Sequence, residues 1–247
     1  MGDHAAHPPH PPRTGADVTH AAGEAAGASP DATLADAAAA QRAADLEAGR
    51  LLFAGSCTFF YAAQRLDQLP PAGLPEIAVA GRSNVGKSSL LNALTGQRAL
   101  ARVSVTPGRT RQLNFFNLGD RLVLVDMPGY GYARASKDIQ RDWQGMMFDY
   151  LRGRPNLRRV LLLLDARVDV KESDRQVMDL LDRAAVTFQL VLTKTDDLRA
   201  GALEAKQRET AALARSHPAA YPDVISTSSR TGTGIPELRA AVAGFAA

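Results

Sequence analysis

The feature that most restricts this chain is the run Gly81-Arg82-Ser83-Asn84-Val85-Gly86-Lys87-Ser88-Ser89. It matches G-x-x-x-x-G-K-[ST], follows the short apolar stretch Glu76-Ile-Ala-Val-Ala80, and precedes Leu90, Leu91 and Leu94 at helical spacing. A strand, a glycine-rich turn and a helix in that order aim backbone amides at phosphate oxygens. By average residue usage, such a match arises by accident in roughly one chain in a hundred of this length. Here the strand and helix flank it as well. Gly81 and Gly86 let the backbone wrap, with Arg82, Ser83, Asn84 and Val85 between them forming the rest of the cradle. Lys87 then reaches the β- and γ-phosphates, and the Ser88 hydroxyl ligates Mg2+.

Around this turn the chain alternates strands and helices. Strand signals fall at 76–80, at Asn114-Phe-Phe-Asn-Leu118, at Arg121–Met127, at Val160–Leu164, at Phe188–Leu192 and at Asp223–Ser226. The second and third are joined by Gly119-Asp120, a glycine-first hairpin turn. Helical patterns lie near 138–153, 172–184, 202–215 and 235–245. The fold class expected is therefore α/β: a P-loop domain with a six-stranded, mostly parallel sheet, one antiparallel strand, and helices on both faces. Leu51 to Leu66 mixes aromatic and β-branched residues and is expected to cover a flank of the domain.

Composition divides the chain at residue 48. Residues 1–48 hold 17 alanines, a proline cluster and few large apolar side chains, too little to offset the entropy of ordering, so this leader is expected to be disordered. Alanine-rich Leu34 to Leu46 has transient helical character. His4, His7 and His10 read as a solvated tail rather than metal ligands, because Pro8 and Pro9 interrupt them. The folded domain is expected over 49–247. The leader carries two arginines against seven acids; the remainder carries 27 bases and 19 acids, a balance of +8 that hints at a polyanionic partner. The single cysteine, Cys57, excludes a disulfide framework and any cysteine-based metal site. No apolar run reaches the ~18 residues of a membrane span, and the N-terminal residues do not form a secretory signal. A cytoplasmic protein without a membrane partner is expected.

Four more motifs follow the P-loop in order. Asp126 ends an apolar strand 39 residues after Lys87 and leads through Met127 and Pro128 to Gly129. A carboxylate there holds Mg2+ through water, while the Gly129 amide senses the γ-phosphate. Thr193-Lys194-Thr195-Asp196 closes the next-to-last strand. The Asp196 carboxylate accepts from guanine N1–H and the 2-amino group, donors that adenine lacks, and Lys194 lays its stem over the base. Thr227-Ser228-Ser229 follows the last strand, where the amides around Ser228 and Ser229 can reach guanine O6. Between the P-loop and Asp126 lies Gly108-Arg109-Thr110-Arg111-Gln112, in which Thr110 is the candidate switch threonine for Mg2+. Together these residues form the expected site for GTP or GDP, with Lys87, Asn84, Thr110 and Gly129 as the catalytic set.

The wording of the motifs goes further. GRSNVGKSSL, PGRTRQLNFF, DMPGYGYA, TKTD and TSSRTGTGIPEL together closely resemble the EngB (YihA/YsxC) family of Era-like bacterial GTPases, over roughly residues 50–247. The resemblance implies a GTP-hydrolysing switch that assists assembly of the large ribosomal subunit, with that subunit and its rRNA as partners and no DNA. It also implies a link to normal cell division and septation. Ras-like enzymes place a glutamine after D-x-x-G to orient water, whereas this chain has Tyr130. Era-like relatives imply K+ held partly by Asn84 in compensation; Arg109 and Arg111 are the alternative in cis. Tyr130 and Tyr132, beside Arg134 and Lys137, suit stacking on RNA bases or packing within the switch region. Arg152, Arg154, Arg158 and Arg159 form a second basic cluster.

Two other classes compete with the switch. A P-loop ATPase or small-molecule kinase is opposed by TKTD and the hairpin. A nucleotide-gated RNA- or protein-binding module with negligible intrinsic turnover stands as the alternative, because GTPases without an activator are slow.

Overall fold

The computed structural model describes residues 1–2, 30–100, 112–130, 145 and 147–247. Seven strands form one sheet: β1 (Cys57–Ala63), β2 (Glu76–Gly81), β3 (Leu113–Leu118), β4 (Leu122–Asp126), β5 (Leu157–Asp165), β6 (Phe188–Thr193) and β7 (Ala220–Ser226), in the order β1-β3-β4-β2-β5-β6-β7. Strands β4, β2, β5, β6 and β7 are mutually parallel, and β3 runs against both of its neighbours. The helices are α1 (Pro30–Ala54), α2 (Lys87–Thr95), α3 (147–153), α4 (Glu172–Ala184), α5 (Ala200–Arg215) and α6 (Ile235–Ala243). No helix among the described residues is long and apolar enough to cross a membrane.

The central strands carry continuous apolar runs, Ile77–Ala80 in β2, Leu122–Val125 in β4, Val160–Leu164 in β5 and Leu190–Leu192 in β6, because both faces of the sheet are covered there. Along β2, Ile77 and Val79 face one layer and Ala78 and Ala80 the other, following the two-residue strand period. The first layer receives Leu52 and Phe53 of α1, Leu90, Leu91 and Leu94 of α2, and Leu238 and Val242 of α6. The second receives Met147, Tyr150 and Leu151 of α3, Val177, Met178 and Leu181 of α4, and Ala214 of α5. At the β3–β4 turn Gly119 and Asp120 both take positive φ, 61° and 53°. This matches the right-handed twist of the hairpin, and the Asn117 side chain exchanges hydrogen bonds with Asp120 across it.

Two expectations are revised. The sheet has seven strands rather than six, the addition being β1, which pairs with β3 at the sheet edge through an irregularity between Phe59 and Tyr61. Its residues Thr58 to Tyr61 are exposed, so neither alternation nor a continuous buried run marks it as a strand. The leader is also not uniformly without structure, since α1 begins at Pro30 and runs through residue 48. Its alanines favour helix; residues 34–45 are exposed, and burial starts with Leu46 and Gly49. At Gly49 a Cβ would lie 2.5 Å from the Ala240 backbone nitrogen, so the absent side chain is what lets α1 meet α6. Residues 3–29 lie outside the described residues.

Candidate nucleotide site

All four sequence motifs that fall on described residues gather at the carboxyl ends of parallel strands β2, β4, β6 and β7, the edge where open α/β sheets bind ligands. The phosphate end is built first. Strand β2 ends at Gly81; the chain then turns through positive φ at Asn84 (67°) and Gly86 (105°) into α2, which starts at Lys87. The segment after β4 runs alongside. The Met127 N–H donates to Val79 (3.0 Å), the Tyr130 N–H to Gly81 (3.3 Å) and the Ser83 N–H to Tyr130 (2.9 Å). That ladder sets Gly129 beside the P-loop. Lys87 Nζ pairs with the Asp126 carboxylate, and both groups are largely buried. Ser88 and Asp126 thus offer hard oxygen donors at one end of the groove, the donor chemistry that Mg2+ takes.

At the other end two loops brace each other. The Thr193 hydroxyl donates to the Val85 carbonyl (2.7 Å), with the Leu164 carbonyl also near it at 3.2 Å, tying β6 to the P-loop. The Thr195 hydroxyl donates to Thr227 O and the Thr227 hydroxyl to Leu192 O, so these buried side chains support the loops. Lys194, at φ 59°, reaches back to donate to the Asn84 carbonyl (2.6 Å) and to Asp165 (2.9 Å). Burial works to raise the Asp165 pKa, but hydrogen bonds from Arg167 and Lys194 outweigh it and hold the carboxyl at about 2. The carboxylate therefore contributes stability that is complete above its ordinary range near 3.8 and is lost as pH falls towards about 2. Asp165→Asn should leave Lys194 less firmly placed. We expect a roughly 3- to 10-fold loss of guanine nucleotide affinity, as one charge-assisted contact weakens, read by equilibrium titration with a fluorescent GDP.

The Asp196 carboxylate is held below its usual range first by the Ser228 hydroxyl and then by Arg230. The loop carrying these residues closes on itself: Ser228 N–H donates to Thr233 O, and Gly232 N–H to Ser228 O, both at 2.9 Å. Gly234 completes it at φ 72°, where a Cβ would stand 1.9 Å from Ser226 O. Because the Ser228 amide is already spent on Thr233, of the two serine amides the one left to face a base is that of Ser229.

Other readings are decided or changed. Tyr130 is 6% exposed and its hydroxyl donates to Asp174 at 3.0 Å, so of its two alternatives, stacking on RNA bases or packing, it takes the second. Of the second basic cluster, Arg154 is sealed onto Glu76, and Arg159 lies between the rings of Tyr221 and Phe245, donating to Gln189. Arg152 and Arg158 stay exposed. Gln112 donates to Asn114. Gly108, Arg109, Thr110, Arg111, Tyr132, Arg134 and Lys137 lie outside the described residues. Sequence reasoning passed over Asp165 and Arg230. A polar residue closing an apolar strand was the available signal for Asp165; for Arg230 there was none.

Comparison with known proteins fits this geometry. Residues 76–194 match the family model described as 50S ribosome-binding GTPase. The chain is 66% identical over 203 residues to the probable GTP-binding protein EngB of Gluconobacter oxydans, covering 82% of this chain and 89% of that protein. It is 68% identical over 200 residues to the protein of the same name from Granulibacter bethesdensis, covering 81% and 90%. A crystal structure of a probable GTP-binding protein EngB superposes with a TM-score of 0.54 at 22% identity, covering 68% of this chain and 97% of that one, a likeness of fold.

Proposed function

This chain belongs to the EngB family of GTP-binding proteins and is a GTPase, and from that membership we propose that it acts as a switch assisting assembly of the large ribosomal subunit, with a consequent link to cell division and septation. The observation that carries the reading is the match of residues 76–194 to a model of 50S ribosome-binding GTPases, the segment that runs from the P-loop strand to the base-reading loop. Every residue named for the nucleotide lies between Gly81 and Ser229, so residues 1–48 take no part in that chemistry in this reading, which has its setting in the cytoplasm. Lys87 serves the β- and γ-phosphates; Ser88 and Thr110 would hold Mg2+ and Asp126 would hold it through water, and the bound ion would supply neutralisation of charge at the phosphate oxygens. Asp196 and Lys194 read the base, aided by the Ser229 amide.

The test is co-sedimentation with ribosomal subunits. We expect the chain to pellet with the large subunit in the presence of a non-hydrolysable GTP analogue and Mg2+, and less with GDP. The affinity should fall steeply with salt, since each phosphate contact releases counterions. Equal pelleting with the small subunit, or in both nucleotide states, would leave the GTPase and remove the assembly switch.

The buried Tyr130, bonded to Asp174, stands where a water-orienting glutamine would be. The water or its charge must be served by another group. Asn84 is exposed, and its backbone carbonyl already draws the Lys194 cation to the P-loop. We assign to Asn84 a share in holding K+. Turnover should rise when Na+ is replaced by K+, and Asn84→Ala should remove that rise; equal rates in the two salts would return the role to Arg109 and Arg111 or to a partner.

A further inference from the structure

The carboxylate that reads the base already has a cation on it. Arg230 Nη2 lies 2.5 Å from Asp196 Oδ2, and the Ser228 hydroxyl, which accepts from the Arg230 and Thr231 amides, also favours the charged form of that carboxylate. Ser228 is fully buried and fixed by its own loop, whereas the Arg230 side chain is 71% exposed. Of these two donors, only Arg230 can leave. A guanidinium and the guanine edge present the same kind of donor to a carboxylate, N–H groups projecting side by side from a plane. They therefore ask for the same oxygens.

A second carboxylate stands ready beside the first. Asp197 Oδ1 is 3.5 Å from Arg230 Nη2, and its other oxygen takes Arg167 at 3.2 Å. When a base takes Asp196, the Arg230 charge can pass to Asp197 by a small rotation and remain paired. When the base leaves, Arg230 can return before Asp196 is fully rehydrated.

We infer that Arg230 is an internal competitor for the guanine position on Asp196, lowering guanine nucleotide affinity and speeding release. This rests on the reading of Asp196 as the base-recognising residue and adds a residue that tunes it. The expected size is set by the kind of pair broken: an exposed arginine–carboxylate contact opposes binding by a small factor, roughly two- to fivefold.

The experiment uses the full chain and a fluorescent GDP and GTP analogue, with affinity from titration and release from chase by unlabelled nucleotide. Arg230→Ala, at an exposed position, should bind about two- to fivefold more tightly and release more slowly by a similar factor. Arg230→Lys should fall between, because it keeps the charge without the planar fork. Raising salt to about 0.5 M should shrink the difference between Arg230→Ala and the parent by screening the pair. In the Asp196→Asn background the Arg230 substitution should have no effect. Unchanged binding in Arg230→Ala, or weaker binding from a direct contact of Arg230 with the nucleotide, overturns the competitor. If Asp196→Asn loses guanine preference while Arg230→Ala is neutral, the competitor alone fails. If Asp196→Asn keeps full guanine preference, the base reading fails and the competitor fails with it.

Discussion

Replacing Asp196 by asparagine should cut GTP affinity by roughly 30- to 1,000-fold and turn the preference towards xanthine nucleotides. The carboxylate offers two acceptor oxygens, one for each N–H of the guanine edge; the amide keeps one and sets an N–H donor against the other. One charge-assisted hydrogen bond is lost and one donor is left facing a donor, which together account for a factor of that order. Sites built to pair a polar edge discriminate far more sharply than apolar pockets do, because the mismatch strands buried polar groups. Xanthine carries a carbonyl where guanine has its 2-amino group, so the new amide donor meets an acceptor. Titration of the Asp196→Asn protein with GTP, XTP and ATP reads all of this, and an undiminished affinity for GTP would remove Asp196 from the base site.

The largest effect on stability is expected far from the nucleotide, at Glu76. This carboxylate is 1% exposed at the start of β2, and the Arg154 guanidinium closes on it, with Nη2 at 2.5 Å and Nε at 3.0 Å from its oxygens. The Tyr150 hydroxyl donates to the same group at 3.0 Å, and burial pushes that phenol well up, so it stays a donor. Arg154 further donates to the Pro70 carbonyl at 2.7 Å, pinning the connection that leads into β2. Glu76→Ala leaves an arginine charge and a phenol without their acceptor in a dry layer, at a cost of about 3–5 kcal/mol. For a domain of this size that is a fall in melting temperature on the order of 10 °C. Calorimetry or urea unfolding measures it. The double substitution Glu76→Leu with Arg154→Met should recover most of the loss, since removing both charges removes the penalty of burying one alone. A single substitution costing under about 1 kcal/mol, the range of an exposed pair, would show that Glu76 is hydrated in solution.

The two sites differ in how far they can be read from residues alone. The P-loop, Asp126, the TKTD segment and the TSS segment are legible because each is local. A strand, a turn and the start of a helix specify one backbone path, and the path by itself aims amides or a carboxylate at the strand's carboxyl end. Their spacing along the chain then implies the parallel order that carries all four to one edge. Strand β1 escapes this logic. Cys57 to Ala63 has no period that marks it, and it is a strand because β3 offers an open edge once the hairpin has formed.

Charged residues escape it for a different reason. An arginine's side chain reads the same in a sequence whether it faces solvent, a phosphate or a buried carboxylate; only its neighbours in space decide. Arg154 and Arg159 look like part of a basic patch, yet Glu76 lies 78 residues from the first, and Tyr221 and Phe245 enclose the second. Tyr130 reads equally as a stacking ring or a packed one until α4 brings Asp174 to its hydroxyl. Asp165 lies outside every motif, and Arg230, although inside TSSRTGTGIPEL, has nothing beside it in sequence that marks it as a partner of Asp196. The sequence by itself determined the nucleotide-binding frame, since that chemistry is written in backbone turns and strand ends. The tertiary structure alone decided which cations meet which carboxylates, because a charge's partner depends on distances set only when separate strands and loops pack together.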